Sequence, residues 1–66
     1  MNIYLNGARY PLAVALSVQS VLEQLDYVGK RVAVEVNGEI IPRTQLDQTL
    51  LREGDRVEII QAVGGG

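Results

Sequence analysis

The chain has 66 residues, 47% of them apolar, and its six basic and eight acidic side chains leave a formal net charge of -2. That length allows one domain, which buries about 60% of the surface its unfolded chain exposes, and leaves no room for a deep catalytic cleft. Cysteine and histidine are both absent, which removes disulfides, thiolate metal sites, cysteine nucleophiles and the usual near-neutral acid–base; the interspersed charges favour neither a nucleic-acid groove nor a membrane-binding face.

Ile3 and Leu5 alternate with polar Asn2 and Asn6, the pattern of a short strand. Asn6-Gly7 follows, a two-residue hairpin signal, because both central positions of a type I′ turn need positive φ. Ala8 to Leu12 is the returning strand, and Pro11 within it lacks a ladder donor, which puts that strand at a sheet edge. Nothing at Met1-Asn2-Ile3-Tyr4 has the charged-then-apolar order of a signal peptide, and no segment approaches the roughly 20 apolar residues of a membrane span. A cytoplasmic domain is the expectation.

Val18, Val21, Leu22 and Leu25 recur at helical spacing, with Gln19, Glu23, Gln24 and Asp26 opposite, so a helix with one apolar stripe is predicted here. Ser17 is its expected N-cap and Gly29 its expected stop, with Lys30 and Arg31 complementing the dipole. Val32, Val34 and Val36 then alternate with Ala33 and Glu35 up to a second Asn-Gly pair, Asn37-Gly38. Ile40-Ile41-Pro42 is extended, since the residue before proline avoids helical geometry. A single turn is expected around Thr44 to Asp47, a tight turn at Glu53-Gly54-Asp55, and a last strand from Arg56 to Gln61. On that strand Val57 and Ile59 face the core and Ile60 faces away. One helix and four or five short strands imply an α+β sheet folded over the helix, with its other face wet. Tyr4 and Ile60 share that wet face, and make a small partner-docking patch if they are neighbours.

The chain closes with Ala62-Val63-Gly64-Gly65-Gly66 directly after this core strand. Glycine lacks a Cβ and tolerates almost any backbone geometry, so such a tail fits a slot too narrow for other residues. Terminal glycines also occur as frayed ends or linker scars, and composition alone does not separate the two readings.

The stretch Val36-Asn37-Gly38-Glu39-Ile40-Ile41-Pro42-Arg43, the Leu50-to-Ile59 segment with its Gly54-Asp55 turn, and Gln61-Ala62-Val63-Gly64-Gly65-Gly66 resemble the ThiS-type sulfur carriers of thiamine biosynthesis. These are ubiquitin-like β-grasp proteins, and the resemblance spans essentially the whole chain. It implies a mixed four- to five-stranded sheet packed on one main helix, in a β-grasp domain over 1–61 followed by a flexible tail over 62–66. It also implies a carrier rather than an enzyme, with no bound cofactor or metal. An E1-like adenylyltransferase of the ThiF type would use ATP to adenylylate the Gly66 carboxylate. A sulfur donor system would convert it to a thiocarboxylate, and thiazole synthase of the ThiG type would take the sulfur.

On this reading Gly66 is the covalent site, Gly64 and Gly65 are the slim leader into the partner's active site, and Tyr4, Ile60, Ala62 and Val63 are the docking candidates. The five residues from Ala62 to Gly66 reach at most about 17 Å beyond the domain. The same tail chemistry leaves related carriers open, for molybdopterin synthesis or tRNA thiolation, as well as a ubiquitin-type modifier. A non-catalytic adaptor with an inert tail is the reading from a different class. Arg43 invites a phosphate-binding role, against the commoner solvated arginine. Glu35, Glu58 and Arg56 read as a wet sheet face, with tuning of partner choice by charge as the alternative.

Overall fold

The computed structural model describes residues 1–61; the expected flexible tail, Ala62 to Gly66, lies outside them. Strand β1 (Asn2–Leu5) turns through Asn6-Gly7 into β2 (Ala8–Pro11). Helix α1 (Val18–Gln24) follows, then β3 (Val32–Val36), a second Asn-Gly turn, the two-residue β4 (Glu39–Ile40), a 3-10 turn at Arg43–Gln45, and β5 (Arg56–Gln61). The turn expected around Thr44 thus begins one residue earlier, right after Pro42, whose extended backbone (φ -60, ψ 149) ends the preceding segment.

The five strands form one sheet in the order β2-β1-β5-β3-β4. β1 and β5 run parallel and every other pair is antiparallel, which is the mixed β-grasp arrangement. β2 stands at an edge, where the missing N–H of Pro11 costs nothing in the ladder. Both Asn-Gly turns carry the positive φ values that this pair was expected to supply, 49 and 85 at Asn6-Gly7 and 53 and 87 at Asn37-Gly38.

Ile3, Val34, Val57 and Ile59 of the sheet meet Val18, Val21 and Leu22 of α1 in one core, closed by Leu12 and Leu51. Each such side chain contributes about 1.5–3 kcal/mol by leaving water. Leu25 packs against this cluster half-buried. Leu51 is the core residue with no periodic signal around it. The irregular segment before it is stitched to the start of the helix, where Val18 N–H donates to the Thr49 carbonyl at 2.9 Å and Gln19 N–H to the Leu46 carbonyl at 3.0 Å. Ser17 caps the next donor, its Oγ accepting from Ser20 N–H at 3.1 Å. The first-turn donors of α1 are therefore used inside the domain.

The end of the helix differs from expectation. Asp26, at φ 63, takes the left-handed position just past the helix. Its N–H donates to the Glu23 carbonyl at 3.1 Å and Tyr27 N–H to the Leu22 carbonyl at 2.9 Å, the paired bonds of a Schellman stop. Gly29, at φ 82, instead shapes the following turn, in which Lys30 N–H donates to the Tyr27 carbonyl at 3.0 Å. Lys30 and Arg31 consequently lie beyond the last turn of α1, which holds no basic residue.

Candidate functional site at the end of the last strand

Strand β5 is central, and its end sets where the tail leaves the domain. On one side it is paired with β3 from Val36↔Val57 through to Val32↔Gln61. On the other side β1 stops early: Tyr4 pairs with Arg56 and Leu5 with Val57, and there the ladder ends. Ile59 would then present an unpartnered N–H and carbonyl to that side. The Asn6 side chain meets both groups, its Oδ1 accepting from Ile59 N–H at 2.8 Å and its Nδ2 donating to the Ile59 carbonyl at 3.4 Å. Asn37 acts similarly at the start of the strand, where its Oδ1 accepts from Arg56 N–H at 3.0 Å and its Nδ2 donates to Asp55 Oδ1 at 3.0 Å. Both hairpin asparagines thus extend the ladders of β5 with side-chain amides. Sequence reasoning gave them turn geometry alone, and an Asn-Gly pair carries no mark of which backbone its amide will reach.

Strand parity placed Tyr4 and Ile60 on the wet face, and both are exposed, at 44% and 54%. They are not neighbours. Tyr4 stands beside Arg56 at the beginning of β5, while Ile60 is four residues farther along and pairs with Ala33. At ~3.3 Å per residue and ~4.8 Å between strands, about 14 Å separates their backbones. Glu58 lies between them and directly faces Glu35 on β3. The two-residue patch expected from parity is therefore not assembled; Ile60 lies at the tail end of the sheet and Tyr4 at the opposite end. Ala62, Val63, Gly64, Gly65 and Gly66 lie outside the described residues.

Around Ile60 the surface is concave and basic. Arg31 and Arg43 line a hollow of about 500 Å³ with Val32, Ala33 and Ile60. A second hollow of about 410 Å³ adjoins it, sharing both arginines and adding Lys30 and Tyr27 over a floor that includes Leu22 and Val34. Arg43 lies on the 3-10 turn and Arg31 immediately precedes β3. No cluster of three or more metal-ligating side chains occurs among the described residues. No helix there is long and apolar enough to cross a membrane.

The site is a strand end hydrogen-bonded on both sides, by β3 on one and by the Asn6 amide on the other. The ThiS family profile matches residues 3–66. The chain belongs to the ThiS family. It is 35% identical to a ThiS thiamine biosynthesis protein from Geobacter metallireducens, whose crystal structure superposes with a TM-score of 0.85 over 100% of both chains. It is also 33% identical to the sulfur carrier protein ThiS of Escherichia coli, again over 100% of both chains. A thiazole synthase of Paramagnetospirillum magneticum contains a segment 33% identical to the whole of this chain, which amounts to 20% of that longer protein. The chain is thereby a ThiS-type sulfur carrier of thiamine biosynthesis, as its sequence resemblance implied, and the adaptor with an inert tail gives way to that reading.

Proposed function

We propose that the reactive group of this carrier is the carboxylate of Gly66, that Gly64 and Gly65 are its access leader, and that all catalytic side chains belong to partner enzymes. The observation that carries this reading is the family membership of a chain ending in three glycines just past a clamped core strand. A C-terminal carboxyl has an ordinary pKa of about 3.5, so at neutral pH it is an anion and a poor electrophile. Attack of its oxygen on the α-phosphorus of ATP expels pyrophosphate and leaves an acyl-adenylate, in which AMP is a good leaving group. The terminal sulfur of a persulfide then displaces AMP at the acyl carbon. The new bond is the acyl C–S bond, and the product is an acyl disulfide. A thiol then attacks the donor's sulfur, breaking the S–S bond carried over from the persulfide, which releases the thiocarboxylate and leaves the donor as a disulfide.

A ThiF-type adenylyltransferase supplies the first step, with ATP as its substrate, and a sulfur donor system supplies the second. Neither needs a cofactor bound to this chain. Thiazole synthase is the acceptor enzyme. Its assignment is supported by a second thiazole synthase, from Magnetococcus marinus, with a segment 30% identical to the whole of this chain. A cytoplasmic location suits this chemistry, which draws on ATP and a persulfide donor. Ordering each tail residue in a partner costs ~1–2 kcal/mol of backbone entropy, which keeps each encounter reversible, as a shuttled carrier requires.

The activation step is tested by hydroxylamine trapping. With ATP, the cognate ThiF-type enzyme and hydroxylamine, the full chain is expected to acquire a C-terminal hydroxamate, and a chain lacking Gly66 is not. Equal trapping in both would displace Gly66 as the activated residue.

A further inference from the structure

The sheet ends unevenly on the side of β4. Pairing of β3 with β4 covers only Glu35 and Val36, and one further bond, from Ile41 N–H to the Val34 carbonyl at 2.8 Å, prolongs it. The chain then leaves through Pro42 into the 3-10 turn, and proline has no N–H to carry the ladder on. Backbone groups alternate sides along an antiparallel strand, so the N–H and carbonyl of Val32, two residues before Val34, point to this same side. Among the described residues no strand lies beyond β4 to meet them. Val32 thus presents a donor and an acceptor at an open sheet edge.

That edge borders the hollow of about 410 Å³ between β3 and α1. Buried Leu22 and Val34 form its floor, and half-buried Ile41 and Leu46 add apolar surface. Lys30, Arg31 and Arg43, half of the chain's six basic side chains, also line it, and among the described residues no carboxylate does. An open edge beside an apolar groove is suited to an added strand: main-chain bonds hold an extended segment, and its alternate side chains fill the groove. The cations disfavour a second copy of this chain, whose own cluster would be brought alongside. They favour a segment bearing carboxylates, which guanidinium grips in a fixed fork. We propose that the β3 edge takes up an extended segment of a partner protein, alternating apolar and acidic residues, as a sixth strand. The backbone of the segment pairs with Val32, and its apolar side chains sit over Leu22 and Val34. Arg31 shares the parity of exposed Ala33, so the alternate, acidic side chains meet it on the wet side. The contact extends the sheet sideways and leaves the exposed side chain of Tyr4 uncovered. It goes beyond the carrier reading and does not depend on it.

The test titrates the isotopically labelled full chain with a short, end-blocked peptide of alternating valine and glutamate. Saturable NMR shifts centred on Val32 are expected, and hydrogen exchange at the Val32 amide should slow at least about tenfold once its N–H becomes a ladder donor. A peptide of alternating valine and lysine is expected to bind at least about tenfold more weakly. Backbone N-methylation of the glutamate peptide should abolish binding, because it removes the main-chain donors. Arg31 and Arg43 are exposed, and Arg31→Gln/Arg43→Gln, verified as folded by far-UV circular dichroism, should weaken the glutamate peptide at least about threefold. The peptide series on the wild-type chain decides the matter even if that variant fails to fold. Absence of shifts at Val32 up to millimolar peptide, or equal binding of the glutamate, lysine and N-methylated peptides, overturns the added strand. Inorganic phosphate that reproduces the shifts would assign the hollow to a small anion. A concentration-dependent dimer that protects Val32 would assign the edge to a second copy. Either result refutes the proposal, and neither bears on Gly66, whose chemistry is read separately by intact mass.

Discussion

The Asn6 side chain stands where β1 has run out, and it satisfies both backbone groups that Ile59 turns toward that side. One residue therefore closes the first hairpin and fixes the strand that delivers the tail. The two roles can be separated by substitution. Glycine keeps the positive φ of this position and removes only the amide. Asn6→Gly is expected to fold, to lose about 1–3 kcal/mol through the orphaned Ile59 groups, and to accelerate hydrogen exchange at the Ile59 amide selectively. Urea denaturation and residue-resolved exchange measure the two effects. Unaltered protection at Ile59 would contradict the clamp.

Glu35 and Glu58 face each other directly across β3 and β5. Like charges at opposed sheet positions oppose folding, by an amount on the order of 0.2–1 kcal/mol. Glu58→Thr, which also suits a strand better, is expected to raise stability by that amount. The gain should shrink as salt screens the pair. Thermal melts at low and high ionic strength check this, and a destabilised variant at low salt would show that Glu58 is held by favourable contacts instead.

Leu51 is 1% exposed, and its N–H donates to the Leu16 carbonyl at 2.9 Å. Truncation to alanine leaves a cavity where the irregular 46–51 segment meets the helix entrance. Leu51→Ala is expected to cost about 2–5 kcal/mol, a large share of the roughly 5–15 kcal/mol that holds a native domain together. The neighbouring Leu50 is 62% exposed, so Leu50→Ala should change stability by less than about 0.5 kcal/mol. Equal losses in the two variants would contradict the core assignment.

Much of this arrangement was legible in the residues. The two Asn-Gly pairs gave the hairpins because positive φ at consecutive positions restricts the residue choice. The spacing of Val18, Val21, Leu22 and Leu25 gave the helix, and parity gave the buried Val57 and Ile59 and the exposed Ile60. The end of the helix was not legible, because the left-handed position fell to Asp26, where aspartate is tolerated and glycine is the usual signal. Leu51 was not legible either, since its burial follows from bonds to a distant helix start and from no local period. The gap between Tyr4 and Ile60 depends on the parallel register of β1 on β5, a pairing between the two ends of the chain. The reach of the Asn6 amide depends on the same register, and that of the Asn37 amide on the antiparallel pairing of β3 with β5.

Ile60 is the docking candidate that lies at the tail end of the sheet, where it pairs with Ala33. Ile60→Glu places a charge on an exposed position and is expected to leave the fold intact. Binding to the activating enzyme should fall roughly tenfold, equivalent to ~1.4 kcal/mol. Tyr4→Ala, at the opposite end of the face, should leave that affinity unchanged. Equal effects of the two substitutions would mean that the contact extends along the whole sheet rather than covering the tail exit.

The central claim is that sulfur travels on the end of the backbone, and intact-mass spectrometry addresses it directly. Incubated with ATP, the cognate ThiF-type enzyme and a persulfide source with a thiol reductant, the chain is expected to gain the mass of one oxygen-to-sulfur exchange. Fragmentation should place that change at Gly66. A chain that keeps its original mass under conditions in which its own enzyme consumes ATP, or that carries the sulfur at any other residue, would contradict the account.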